Sequence, residues 1–262
     1  VPGYDPESRL WYEPIPGFTL PAIAEHPTED DVAEAGRLIT EELLVDFPFA
    51  EQSDEAHAVA AVLLPSARRL FNGSAPIHDV EGTTPGSGKG LFASTVSIVS
   101  RGRPCEATTL TRDENETRKK LTAIMARSTQ IILLDNIRNE LDSAQLAAAL
   151  TADVWSDRIL GQTRMVEFPN RATWIITANN PRFSLEIARR SIRIRLEPPE
   201  ERPWERAKFR HDPLHDWVYA ERPRLGWAVL TLIQNWLSKG RPPGTRRLGS
   251  FEGWAATIGG IL

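Results

Sequence analysis

Cysteine is almost absent from this chain. Cys105 is the one thiol among 262 residues, so no internal disulfide can form, and a reducing, cytoplasmic setting is expected. Long apolar runs are missing too. No stretch approaches the ~20 residues that a membrane-spanning helix needs, and no signal-peptide pattern is visible. Positive charge is not in excess: the net charge is −4, unlike that of a wholly basic nucleic-acid binder. His211 and His215 stand four apart, but Pro213 lies between them and no cysteine or third histidine is near, so no zinc site is expected there. No Ser-His-Asp or Cys-His set stands out. There are no internal repeats and no low-complexity segments.

What remains is the composition of a globular protein, 41% apolar and 25% charged. The length suits one sizeable domain with a helical flank. The chain begins at Val1 and ends mid-pattern at Gly259-Gly260-Ile261-Leu262, and it is expected to be a piece of a longer protein. Charge is uneven along it. Residues 1–60 hold fourteen Asp and Glu against Arg9 and Arg37, whereas residues 156–195 hold eight arginines against Asp157, Glu167 and Glu186. The second region allows local anion binding on an acidic protein.

The chain is organised around Gly82-Thr83-Thr84-Pro85-Gly86-Ser87-Gly88-Lys89-Gly90. The apolar run Ile77 to Val80 leads into it, and an amphipathic segment beginning at Leu91 leads out. Strand, glycine-rich turn and helix start, in that order, make a phosphate-binding loop. Its backbone N–H groups and the dipole of the following helix converge on one spot, and Lys89 adds a cation for the outer phosphates. The usual pattern departs in two places. Thr83 stands where the first glycine is expected, one residue after Gly82, and Gly90 replaces the hydroxyl residue that ligates magnesium.

Before the loop, residues 1–27 read as an extended lead-in. Thr28 caps a helix with Asp31 at its third position, and a second helix runs from about Ser53 to Leu64. After it, Cys105 to Leu110 reads as a short strand and Asp113 to Met125 as a charged helix. Ile131-Ile132-Leu133-Leu134 then suits a strand buried on both faces, with Asp135 at its C-terminal end, where ligands bind in open α/β sheets. Asp142, with Gln145, is expected to cap the next helix. Alternation around Gly161-Gln162-Thr163 predicts a β-hairpin. Thr173 to Thr177 is another buried strand, ending in Ala178-Asn179-Asn180. Ser184 caps a short helix from Leu185 to Arg190, and Ile192, Ile194 and Leu196 mark a last strand. Beyond residue 200 the pattern is helical: Leu214 to Tyr219, a longer helix opened by Pro223, and a segment from Phe251 capped by Ser250. Trp155, Trp174, Trp227 and Trp236 fall on apolar faces and are expected in the core.

Five strands with helices between them, one followed by the phosphate loop, one ending in Asp135 and one in Asn179, resemble the motif order of the AAA+ ATPases. More closely, the chain resembles the AAA+ helicase-like ATPases of phages, plasmids and integrative elements. These lie near the superfamily 3 and minichromosome-maintenance-like helicases and are often joined to a primase-polymerase. The telling stretches are Gly86-Ser-Gly-Lys-Gly-Leu91, Leu134-Asp-Asn-Ile137, Asp157-Arg-Ile-Leu-Gly161, Thr177-Ala-Asn-Asn180, Ala188-Arg-Arg190 and Gly249-Ser-Phe-Glu-Gly-Trp254.

The resemblance implies an α/β P-loop fold: a parallel five-stranded sheet with flanking helices over residues 71–198. An N-terminal flank over 1–70 and a truncated C-terminal helical extension over 199–262 complete it. It implies ATP and Mg2+ as ligands, bound by Thr83, Thr84, Pro85, Gly86, Ser87, Gly88, Lys89, Gly90 and Leu91. Asp135 would anchor magnesium through water, and Asn179 would orient the attacking water. Arg190 or Arg189 would be the arginine finger, reaching a neighbouring subunit in a ring, expected to be a hexamer. The hairpin would track nucleic acid, with Gln162 and Arg164 contacting phosphates. Arg246 and Arg247 are candidates for a second sensor. Many relatives carry Glu after the magnesium-binding Asp, where this chain has Asn136. An amide orients water but takes no proton, so Glu140 or Glu116 would have to supply the carboxylate.

The expected function is the ATPase core of a mobile-element replicative helicase moving on single-stranded DNA, with a primase domain or partner and no membrane. Two rivals stand beside it: an ATP-dependent oligomerising switch or loader with little hydrolysis, favoured by Asn136, and a P-loop small-molecule kinase.

Overall fold

A computed structural model describes residues 3–6, 10–12, 17–137, 140–158 and 164–262. Its centre is a sheet of five strands: β1 (Ile77–Gly82), β2 (Ala107–Thr108), β3 (Ile131–Ile137), β4 (Thr173–Asn179) and β5 (Ser191–Leu196). All neighbours are parallel, in the order β5-β1-β4-β3-β2. The expected fold class is therefore present. Because β4 is inserted between β1 and β3, its tip lies between the phosphate loop and Asp135, and the register sets Asn179 opposite Gly82.

The continuous apolar runs are explained by burial on both faces. Ile131 and Leu133 of β3 enter one apolar core, and Ile132 and Leu134 enter the other. The second core is covered by α4 (Glu114–Ala126), α5 (Ala144–Thr151) and the short α6 (Leu185–Ala188). The first is covered by α1 (Glu29–Arg37), α2 (Gln52–Ala67), α3 (Lys89–Arg101), α7 (Leu214–Ser238) and α8 (Glu252–Ile261). Helices from the N-terminal flank and the C-terminal extension thus share one core with the sheet. Each fully buried Leu, Ile or Phe in it contributes about 1.5–3 kcal/mol.

Edge strand β5 has its outer backbone groups occupied by the flank. The Arg195 amide donates to Asp54 Oδ1 at 3.0 Å, and the Arg193 carbonyl lies 2.7 Å from His57 Nδ1. The Ala50 amide donates to the Arg195 carbonyl, and the Glu197 amide donates to the Pro48 carbonyl. An otherwise open edge is closed to further strand pairing.

Several local expectations change. The capping box of Thr28 and Asp31 is present, but after α1 the chain widens into a π-helix, Leu38–Leu43. Ser143, not Asp142, caps α5, its hydroxyl accepting from the Leu146 amide at 3.2 Å. Ser184 makes no side-chain cap bond. Glu252 begins α8, with Phe251 at the cap position in place of Ser250. The two expected C-terminal helices are one, with Pro223 inside α7. Proline removes the bond to the carbonyl four residues back, which belongs to the exposed residue Tyr219 and can turn to water. The strand expected at Cys105 to Leu110 shrinks to β2. Trp155, Trp174 and Trp236 are buried and Trp227 packs against the first core. The hairpin pairs Val154–Arg158 with Met165–Pro169, and its tip lies outside the described residues. No helix is long and apolar enough to cross a membrane among the described residues.

Candidate active site

The phosphate loop joins β1 to α3. Gly86 and Gly88 hold φ of +79° and +93°, backbone that only glycine adopts without strain. Gly88 caps α3, so the first free amides of a 13-residue helix open onto the loop. Lys89 folds back across it: Nζ donates to the Thr84 carbonyl at 3.1 Å and to Ser87 Oγ at 2.8 Å, while Ser87 Oγ donates to the same carbonyl. Half-burial lowers the Lys89 pKa, and the nearby charge of Asp135 opposes that shift. A Cβ on Gly82 would lie 2.4 Å from Ser87 Oγ and 3.1 Å from Lys89 Nζ. The glycine displaced by one residue in the sequence therefore keeps the lysine's path clear.

Asp135 ends the straight part of β3. Its Oδ1 accepts from Thr177 Oγ1 at 2.5 Å, and the same hydroxyl accepts from the Asn136 amide at 2.9 Å. Thr177 thereby fixes both the carboxylate and the turn in which Asn136 takes φ of +56°. Thr177 was legible only as part of a strand and of the stretch ending in Asn180, with no role of its own. Its signal was parity, since it stands two residues before Asn179 and shares its face of β4. Asn179 and Asn136 are both exposed at the tips. Asn180 locks β4 to the loop, its amide donating to the Gly82 carbonyl at 3.1 Å.

Beside the loop lies a mostly apolar cleft of about 590 Å³, walled by Phe47, Pro48, Leu91, Pro198, Phe209 and Leu214. A strap formed by residues 198–213 closes one side. It is clasped to the flank by charge: Arg206 to the Asp46 carbonyl at 2.8 Å, Arg210 to Glu42, and His211 Nε2 to Glu42 Oε2 at 3.0 Å. His211 also stacks on Trp217 at 3.8 Å. Trp204, on the strap, rests on Gly86, with ring carbon Cε3 3.1 Å from where a Cβ would be.

The other predicted residues are distributed as follows. Glu140 lines an open cleft at the strand tips with Arg112, Asp142, Asn180 and Arg182, whereas Glu116 is paired with Lys119 on α4. Arg189 and Arg190 lie at the other end of the sheet, where the Arg190 carbonyl accepts from the amide of Ile77 at the start of β1. A six-residue strand separates them from the loop, about 20 Å at 3.3 Å per residue. Arg189 is half exposed and Arg190 is buried, both tied to Glu186. Gln162 lies outside the described residues, and Arg164 is exposed beside the hairpin strand. Arg246 and Arg247 are exposed between α7 and α8 and line no cleft beside the loop.

The loop fits a nucleotide's phosphates, with amides, a lysine and a cradle that a Cβ would fill. No cluster of three acidic, histidine or cysteine side chains suited to a metal exists among the described residues. Asp135 alone fits magnesium, which is commonly held by one carboxylate together with substrate phosphates and water.

No protein-family model and no curated protein matches the chain. Among solved structures it is similar to the apo A form of the C-terminal region of NrS-1, with a TM-score of 0.54 and 10% identity over 98% of this chain and 57% of that one. It is also similar to JCV helicase with a bound acetamide compound, with a TM-score of 0.39 and 14% identity over 78% of this chain and 61% of that one. The first likeness establishes the fold. The chain spans little more than half of that structure's length.

Proposed function

We propose that this chain is the ATP-hydrolysing core of a replicative DNA helicase of the kind carried by mobile elements, working as a ring on single-stranded DNA. The observation that carries the reading is the arrangement at the sheet's tip: Lys89 held within the phosphate loop by Ser87, Asp135 held by Thr177, and Asn179 set opposite Gly82.

In this reading the amides of residues 86–91 and Lys89 bind the β- and γ-phosphates of ATP, and the base enters the apolar cleft under the strap. Asp135, held by Thr177, with Ser87 or Thr84 in place of the hydroxyl missing at Gly90, would hold magnesium, which neutralises phosphate charge when bound. Asn179 orients the attacking water. Glu140, at the strand tips, is the carboxylate suited to receive its proton, since Asn136 takes none. Arg189, exposed and remote from its own loop, stabilises the γ-phosphate of a neighbouring copy. Assembly as a hexamer, and pairing with a primase domain or partner, belong to the same proposal.

Asn136 favours a second reading, a nucleotide-dependent switch that assembles without turnover. Steady-state ATPase rates with and without single-stranded DNA, for wild type and Lys89→Ala, separate the two. DNA-stimulated hydrolysis that disappears in the variant is expected for the motor. ATP binding without turnover in either condition would leave the switch.

A further inference from the structure

The pole of the sheet opposite the phosphate loop carries its own concentration of arginine. Parallel strands with antiparallel crossover helices bring the C-termini of α2, α3 and α4 together there. Two open clefts, of about 1100 and 880 Å³, meet at the loop Ser128-Thr129-Gln130, which both share. Arg68, Arg69 and Arg171 line the first, and Arg101, Arg103 and Arg127 line the second. The carboxylates near them are Glu106, which pairs with Arg127 at 3.1 Å with both side chains about two-thirds exposed, and Asp153 beside Gly73.

Helix C-termini attract cations, each worth about 0.3–1 kcal/mol, and that accounts for some of these arginines. It does not account for Arg171, which precedes a strand, or for the uncommitted donors. Arg69, Arg103 and Arg171 are exposed, and their side chains make no hydrogen bond or ion pair among the described residues. Arg68 is 4% exposed, donates only through Nη2, to the carbonyls of Gly73 and Asn170, and leaves Nε and Nη1 without partners. Burial holds its pKa down to about 10, and the like charge of Arg171 pushes the same way. Like charges crowd here on a chain that is acidic overall, and hydroxyls of Ser128 and Thr129 stand between the two groups.

Guanidinium forks with neighbouring hydroxyls are the chemistry of phosphodiester recognition. The path is continuous with the hairpin, whose second strand, Met165–Pro169, runs from Arg164 to Arg171. That span is about 20 Å, long enough for several nucleotides.

We infer that this arginine-lined pole is a second nucleic-acid contact, binding the backbone phosphates of a strand that leaves the hairpin, without reading its sequence. The inference deepens the helicase reading and rests on it for the identity of the polyanion.

The test is equilibrium binding of a fluorescein-labelled oligothymidylate to the full chain across a salt series. The probes are wild type, Arg69→Ala/Arg103→Ala/Arg171→Ala, and the same triple change to Lys. Three lost phosphate contacts should lower the slope of log K against log salt by about 2, at roughly 0.7 per contact for single strands, and weaken binding at least tenfold at low salt. The lysine variant should recover most of the slope, because a point charge still meets a phosphate. Melting temperatures establish that all three chains are folded. An unchanged slope in the alanine variant, no binding by wild type with or without ATP, or a variant that changes only self-association would each overturn the inference. ATP turnover is measured separately. Hydrolysis with an inert pole sinks this inference alone, whereas DNA binding at the pole without hydrolysis sinks the motor.

Discussion

At the scale of single residues, the phosphate loop is governed by close approach. Gly82→Ala would place a methyl carbon 2.4 Å from Ser87 Oγ and 3.1 Å from Lys89 Nζ, so the serine hydroxyl must shift and its bond to the lysine is disturbed. We expect roughly a tenfold loss of ATP affinity, about 1.4 kcal/mol, with an unchanged far-ultraviolet circular dichroism spectrum, measured by titration with a fluorescent ATP analogue. Two other residues of β1 set a pH dependence. His78 is wholly buried, and burial holds its pKa down to about 3 from 6.5. Below pH 6.5 the unfolded chain takes up a proton that the native state refuses, so stability falls as pH drops from 6.5 toward 3, by at most about 5 kcal/mol. Asp79, on the opposite face, is pushed well above its ordinary value by burial and then by Glu81. There the native state keeps a proton that the unfolded chain releases, so stability falls as pH rises above about 4 toward the raised value. Melting scans across pH should find His78→Leu flattening the acid limb and Asp79→Asn flattening the opposite one. Equal pH dependence in both variants and wild type would refute this assignment.

At the scale of elements, closing the β5 edge depends on the flank. Asp54 is buried, and one oxygen accepts from the Arg195 amide while the other accepts from the Glu51 amide at its own helix start. Asp54→Ala leaves a buried N–H without a partner and should cost about 1–3 kcal/mol in a denaturant melt. The chain's elements were legible where one local signal decided them. Four consecutive apolar residues made β3, and Thr28 with Asp31 made the start of α1. They were illegible where packing decided. Pro223 reads as a helix start, yet α7 continues through it, because the first core holds Val218 on one side of it and Leu225 on the other. Asp142 was the expected cap of α5, and only the backbone geometry hands that place to its neighbour Ser143. In the site, Lys89, Asp135 and Asn179 were visible as motif residues. Thr177 stood in the same motif stretch as Asn179, but its role was not legible, because that role is a bond to Asp135 on a neighbouring strand, forty-two residues away in sequence.

At the scale of the whole molecule, the distance between Arg189 and the phosphate loop of its own chain is the main constraint. If the two act on one γ-phosphate, they come from different copies. Mixing Lys89→Ala with Arg189→Ala, each inactive alone, should then restore ATPase activity, since random assembly gives roughly one interface in four with both residues intact. Activity no greater than the sum of the separate variants would sink the trans assignment. The proposed ring would place the acidic flank, the apolar cleft and the arginine pole at fixed repeats around an axis, so that a bound strand would meet equivalent charges from each copy.

The tryptophan resting on Gly86 carries a consequence for watching this protein work. Trp204 is 61% exposed, whereas Trp155, Trp174, Trp236 and Trp254 are buried. Its indole touches the glycine whose amide would face a phosphate. Light emitted by that one ring is therefore a clock on the loop: a rapid-mixing trace of intrinsic fluorescence, absent in Trp204→Phe, would time ligand arrival and departure without any attached dye.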